Sequence, residues 1–307
     1  MATSSQQAET IEVELGNHTV SVPKGGYYDR FRMNPDLDQV EADPRVSNVD
    51  FFRGLTKTRV DSPIGETYTP NFYYRMSSAR LTILARSSAI RSRLPEELEP
   101  LEIAPGLGLA SVIFFRYDVA DIDFYTEAAV GVAVKPARHG RLGFLDLVTD
   151  LKNDHLHSYV FSLPVNTEIA QVRGHDGYGF PKWVTDLDVD INAETSTARI
   201  ANDAGGLDLA FAAPTPEQTS FRSGERVSSL TSYTKVNGTW QSTFNQTNLL
   251  SAGSARLPRG VKLELGEGRM SNDLRSLKPI KTLRLDVATE AQAALHMPVT
   301  TSVRPSA

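Results

Sequence analysis

Apolar and polar residues alternate with a period of two along most of the chain, which predicts strands rather than helices. Ile11, Val13 and Leu15 alternate with Glu12 and Glu14, Gly16-Asn17 makes a turn, and Val20 and Val22 resume the pattern, so the chain opens on a hairpin. The same pattern predicts strands over 80–85, 111–117, 128–135, 158–165, 185–191, 207–212, 261–265 and 283–287. The cleanest case sets Leu187, Val189 and Ile191 against Asp186, Asp188 and Asp190, one face buried and one acidic and wet. Helical signals are fewer. A short helix over 87–94 is stopped by Pro95, another is expected over 290–295, and one or two more within 36–52. This describes a mainly β, β-rich α+β chain with a few short helices, built as a barrel or as paired sheets. Tyr27–Pro70 is polar and broken by Pro and Gly. Residues 1–70 are therefore expected to form an N-terminal extension packing on a core of residues 71–300, followed by a tail, 301–307.

Composition narrows the chemistry. With 40% hydrophobic and 22% charged residues the 307-residue chain can bury a core. The absence of cysteine excludes disulfides, thiolate-metal sites and a thiol nucleophile. A net charge of −5 leaves no basic footprint for nucleic acid. The opening MATSSQQAET has neither the basic nor the apolar region of a signal peptide, and no apolar run reaches the ~18 residues of a membrane helix. A cytoplasmic protein with no membrane or nucleic-acid partner is the expectation.

Several motifs can be set aside. Gly106-Leu107-Gly108 lacks the third glycine of a dinucleotide fingerprint and precedes a strand instead of following one. His155 and His157 would share a strand face, but no third ligand is in reach, so no metal site is expected. No Gly-x-Ser-x-Gly elbow is present. The segment from Gly174 to Trp183 stands out: Gly-His-Asp-Gly-Tyr-Gly-Phe-Pro-Lys-Trp. Glycine permits tight turns and close approach, and proline fixes the backbone just before Lys182. A lysine among Tyr178, Phe180 and Trp183 is either the end of a solvated loop or an amine whose burial lowers its pKa from ~10.4 toward ~7–8, enough to attack a carbonyl.

This segment resembles the active-site strand of the acetoacetate decarboxylase family, which carries Gly-Arg-Glu, three variable residues and then aromatic-Pro-Lys. Gly174-His175-Asp176 and Phe180-Pro181-Lys182 stand at that spacing. Tyr125-Thr126-Glu127 is similar to the family's Tyr-Thr-Glu, and Leu94-Pro95-Glu96-Glu97-Leu98 to its Pro-Glu-Pro-Leu. Met270-Ser271-Asn272-Asp273-Leu274 has a counterpart near the C-terminus. The resemblance implies a distorted, cone-like antiparallel β-barrel and a homo-oligomer, with no organic cofactor or metal. It implies a Schiff-base lyase acting on a small keto acid or ketone, with β-keto acid decarboxylation first. An aldolase–dehydratase or cyclase using the same lysine, or a non-catalytic binding barrel, are the alternatives. On this reading Lys182 is the nucleophile and Glu127 the acid/base or orienting group. Arg80, with Arg75 as the fallback, holds the substrate carboxylate, and Tyr125, Tyr178, Phe180 and Trp183 shape the pocket. The chain departs from the family in placing Trp183 where the prototype has a second lysine, and Val112 where it has a second acid.

Overall fold

The computed structural model describes residues 9–135 and 155–303. Before the barrel come the hairpins β1 (Thr10–Leu15) with β2 (His18–Pro23) and β3 (Thr58–Ser62) with β4 (Gly65–Thr69). Then follow β5 (Asn71–Arg86), β6 (Glu102–Ala104), β7 (Leu107–Ala120), β8 (Tyr125–Ala133) and β9 (His155–Val165). Next are β10 (Lys182–Val184), β11 (Leu187–Ile191), β12 (Thr195–Ala201), β13 (Leu207–Pro214) and β14 (Thr219–Ser220). The last are β15 (Val227–Val236), β16 (Thr239–Arg256), β17 (Lys262–Leu265), β18 (Pro279–Leu295) and β19 (Val299–Thr300).

Seven of these strands close a barrel in the order β5-β7-β8-β9-β15-β16-β18. Every seam is antiparallel except β9·β15, which is parallel. Register shifts interrupt the long strands β5, β16 and β18, the usual way for a long strand to bend around a closed sheet. Side-chain parity then divides the strands into two faces. Along β7, Val112 and Phe114 point outward, whereas Ile113, Phe115 and Tyr117 line an interior cavity of about 200 Å³. The outward face carries a second sheet, β11-β12-β13-β17, with Phe114 stacked on Phe211 at 4.7 Å between ring centroids. The acidic alternation behaves as expected: Leu187, Val189 and Ile191 are buried on that sheet and Asp188 and Asp190 are exposed.

The helix Ser87–Arg93 ends before Pro95 as its sequence requires, and the helices Leu37–Glu41 and Asp50–Arg53 occupy the region 36–52. The helix expected over 290–295 is instead the end of β18. Ala291, Ala293 and Leu295 pair with Leu249, Thr247 and Asn245 of β16, and Gln292 accepts a 2.9 Å hydrogen bond from Asn248. Two flanking strands supply the backbone partners, so pairing overrides the helical preference of an alanine-rich stretch. No helix of the described residues is long and apolar enough to cross a membrane.

The segment before β5 lies against the barrel. Val40, Val49 and Phe52 pack on Phe72, Tyr74 and Val119. The Lys57 ammonium donates to Met33 O (2.6 Å) and to Asp121 Oδ2 (2.5 Å), and Asp121 also accepts from Phe72 N and Tyr74 Oη. Burial of Lys57 pulls its pKa down, against the pull of Asp121 in the other direction.

Candidate active site

Strand parity sets the first group. On β8, Thr126, Ala128 and Val130 are buried on the outer side, where Thr126 Oγ1 donates to Leu187 O at 2.6 Å. Tyr125, Glu127, Ala129 and Gly131 face the cavity, and the two small residues leave room beside the carboxylate. A charged group is therefore placed on a strand whose cavity face otherwise carries an aromatic and small residues.

The lysine arrives two strands along the same wall, on a strand that pairs with β9, by a local device. The helix Glu168–Val172 runs into a single turn of π-helix, Arg173–Gly177, a wide turn that often marks functional sites. Gly179 (φ +71°) reverses the chain, and Phe180 N donates to Gly174 O at 3.0 Å. The chain then enters β10, which pairs in parallel with the last three residues of β9, beyond the stretch that pairs with β15. Lys182 faces inward there. Its side chain lies across Gly174, where a Cβ would overlap Cδ and Cε of the lysine and stand 2.9 Å from Nζ.

Lys182 Nζ contacts Glu127 Oε2 directly, and both side chains are only 8% exposed. Removing two such charges from water costs several kcal/mol per ion unless pairing and further hydrogen bonds offset it. Tyr117 Oη supplies one such bond to Glu127 Oε1 at 3.3 Å, and the Tyr125 ring lies 5.6 Å from Nζ. Tyr73, Tyr117 and Tyr125 form one cluster, with Tyr125 Oη donating to Tyr73 Oη at 3.1 Å. Burial raises the pKa of all three phenols, and the Glu127 charge adds to the rise, so they stay protonated as donors. The arrangement can hold a carbonyl compound against an amine, with a carboxylate in reach of every proton the amine must lose or regain.

Lys182, Glu127, Tyr125, Tyr178 and Phe180 thus meet in one cavity. Trp183 does not: it alternates to the other face of β10, with the Arg269 guanidinium 5.2 Å from its ring centroid. Arg80 reaches the cavity wall but is already paired with Asp286 at 3.0 Å. Arg75 donates to Arg45 O at 2.9 Å and is not part of the lining. Val112 lies in the outer core. His155 and His157 stack at 4.8 Å, as alternate residues on one face do, and bond to Thr231 Oγ1 and Tyr233 Oη.

Sequence reasoning missed Tyr73, Tyr117 and Arg173. Arg173 is 3% exposed and lines the cavity. It donates to Thr67 Oγ1 (2.8 Å), Tyr68 O (2.9 Å) and Tyr178 Oη (3.2 Å).

Comparison with known proteins agrees with this architecture. No curated protein sequence matches the chain. The structure is similar to acetoacetate decarboxylase from Legionella pneumophila subsp. pneumophila str. Philadelphia 1, at 15% identity and a TM-score of 0.50, over 76% of this chain and 87% of that one. A second acetoacetate decarboxylase structure gives 12% identity and a TM-score of 0.53, over 76% and 89%. The enduracididine biosynthesis enzyme MppR, complexed with the condensation product of pyruvate and imidazole 4-carboxaldehyde, gives 13% and 0.52, over 78% and 91%. At these identities the likeness concerns the fold. The sequence profile described as acetoacetate decarboxylase matches residues 61–284, most of the barrel and its second sheet, and the chain belongs to that family.

Proposed function

We infer that the chain is a lyase working through a lysine imine on a keto acid. The observation that carries this is a buried Lys182 in contact with Glu127 inside the barrel cavity. The Nζ lone pair attacks the substrate carbonyl carbon, Glu127 takes the ammonium proton beforehand, and the carbonyl oxygen leaves as water. The resulting iminium is an electron sink. In β-keto acid decarboxylation the C–CO₂ bond breaks, its electron pair enters the iminium to give an enamine, and CO₂ departs. Protonation of the enamine carbon and hydrolysis of the imine then release a ketone and restore the amine.

A second reading, aldol condensation with dehydration, uses the same iminium. The Glu127–Tyr117 contact beside the imine favours it, since dehydration needs a proton moved from carbon to a departing hydroxyl. A purely binding barrel fits less well, because it leaves the cost of burying the Lys182–Glu127 pair without a use.

Borohydride trapping with a panel of ketones and keto acids, read by peptide mass spectrometry, tests the inference. An adduct on Lys182 is expected, absent from Lys182→Ala and slowed about 10²-fold or more in Glu127→Gln, the range typical of general acid–base groups. No adduct across the panel overturns the imine reading. Release of CO₂ from a β-keto acid distinguishes the first reaction from the second.

A further inference from the structure

We propose that Arg173 is the residue that holds the substrate's carboxylate, an assignment that rests on the imine reading and gives it a substrate class. A guanidinium buried to this degree is ordinarily paired with an acid, because an uncompensated buried charge is strongly destabilising. Arg173 is met only by neutral acceptors, Thr67 Oγ1, Tyr68 O and Tyr178 Oη. Among the described residues no carboxylate lies within ion-pair distance of it, and its Nε is buried without a partner. Arg80, the alternative cation on the cavity wall, is already paired with Asp286.

Position supports the same conclusion. Arg173 immediately precedes Gly174, the residue across which the Lys182 side chain lies, so one turn of backbone carries the arginine and seats the lysine side chain. The Arg173 charge reaches the phenols of Tyr178 and Tyr73, and Tyr73 also feels Glu127. The three neutral acceptors take one Nη1 hydrogen and both Nη2 hydrogens, which fixes the plane of the guanidinium without satisfying its charge and leaves one Nη1 hydrogen, besides Nε–H, for an anion. Two of them, Thr67 and Tyr68, come from β4, ahead of the barrel. The cavity therefore favours a keto acid over a neutral ketone, and the hairpin β3–β4 sets that preference by positioning Arg173.

The test compares a keto acid with its methyl ester at equal concentration in borohydride trapping by the full chain. The wild type is expected to label Lys182 with the acid at least tenfold faster than with the ester. Arg173→Met should bring that ratio near one, Arg173→Lys to an intermediate value, and the near-isosteric Thr67→Val should lower it severalfold. Equal labelling by acid and ester in the wild type overturns the assignment, and so does an unchanged ratio in a folded Arg173→Met. Where Arg173→Met does not fold, the wild-type ratio and Arg173→Lys decide. Failure of both compounds to label Lys182 sinks the imine reading instead. The carboxylate site is then judged by direct titration of the acid and the ester, where equal affinity overturns it and tighter acid binding, weakened in Thr67→Val, supports it.

Discussion

Gly174 illustrates how a single position governs the site. The sequence marks it as a place of close approach, with a ligand as the natural partner. The close neighbour is the aliphatic end of Lys182, which needs the space a Cβ would fill. Gly174→Ala should therefore displace the amine from Glu127 while leaving the barrel core untouched. Misplacing a reacting group by about 1 Å can cost on the order of 10²-fold. Trapping on Lys182 should fall by about that factor, with little change in the urea midpoint; wild-type trapping in Gly174→Ala would contradict the packing. Lys182 drew attention in the sequence because it stands among glycines and aromatics, whereas Glu127 came only from the resemblance of Tyr125-Thr126-Glu127 to the family's motif. Arg173 drew none, since one arginine beside a glycine turn looks like any solvated cation until its burial is known.

At the scale of the element, β10 has two faces with different duties. Lys182 faces the cavity, and Trp183 covers the outside under Arg269. Trp183→Ala should cost stability, about 1–3 kcal/mol for a half-buried aromatic, yet change the trapping rate on Lys182 by less than twofold. A change of tenfold or more would place Trp183 in the pocket after all. The same two-sidedness explains which strands the sequence disclosed. β7, β8 and β11 alternate apolar with polar, or carry one apolar face, and period-2 reading finds them. β16 escapes because Thr243, Asn245 and Thr247 face the barrel interior, where an outward polar face would be expected. Its apolar residues are too scattered to set a period. The end of β18 escapes for the opposite reason, being alanine-rich on both faces. Hydrophobic alternation reads a core against water, and a barrel with a partly polar interior breaks that rule where its cavity lies.

Across the whole molecule the question is whether the segment ahead of β5 is an appendage or part of one folding unit. The contacts argue for one unit. Phe52 is fully buried, 4.7 Å from the ring of Phe72 and 5.0 Å from that of Tyr74, both on β5. Lys57 is clamped to Asp121 just beyond β7, and Thr67 holds Arg173 beside the lysine. Phe52→Ala should remove about 3–5 kcal/mol, the usual cost of emptying a packed aromatic site. The mode of loss is the sharper test. Both tryptophans, Trp183 and Trp240, lie outside this segment, so their fluorescence reports on the barrel alone, whereas far-ultraviolet circular dichroism reports on the whole chain. In urea, one cooperative unit requires both signals of Phe52→Ala to shift together to a lower midpoint. A fluorescence midpoint that stays at the wild-type value while circular dichroism shows an early phase would make the segment separable. The hairpin that positions Arg173 could then loosen without unfolding the barrel, so this experiment also decides whether acid selectivity and global stability are bound to the same transition.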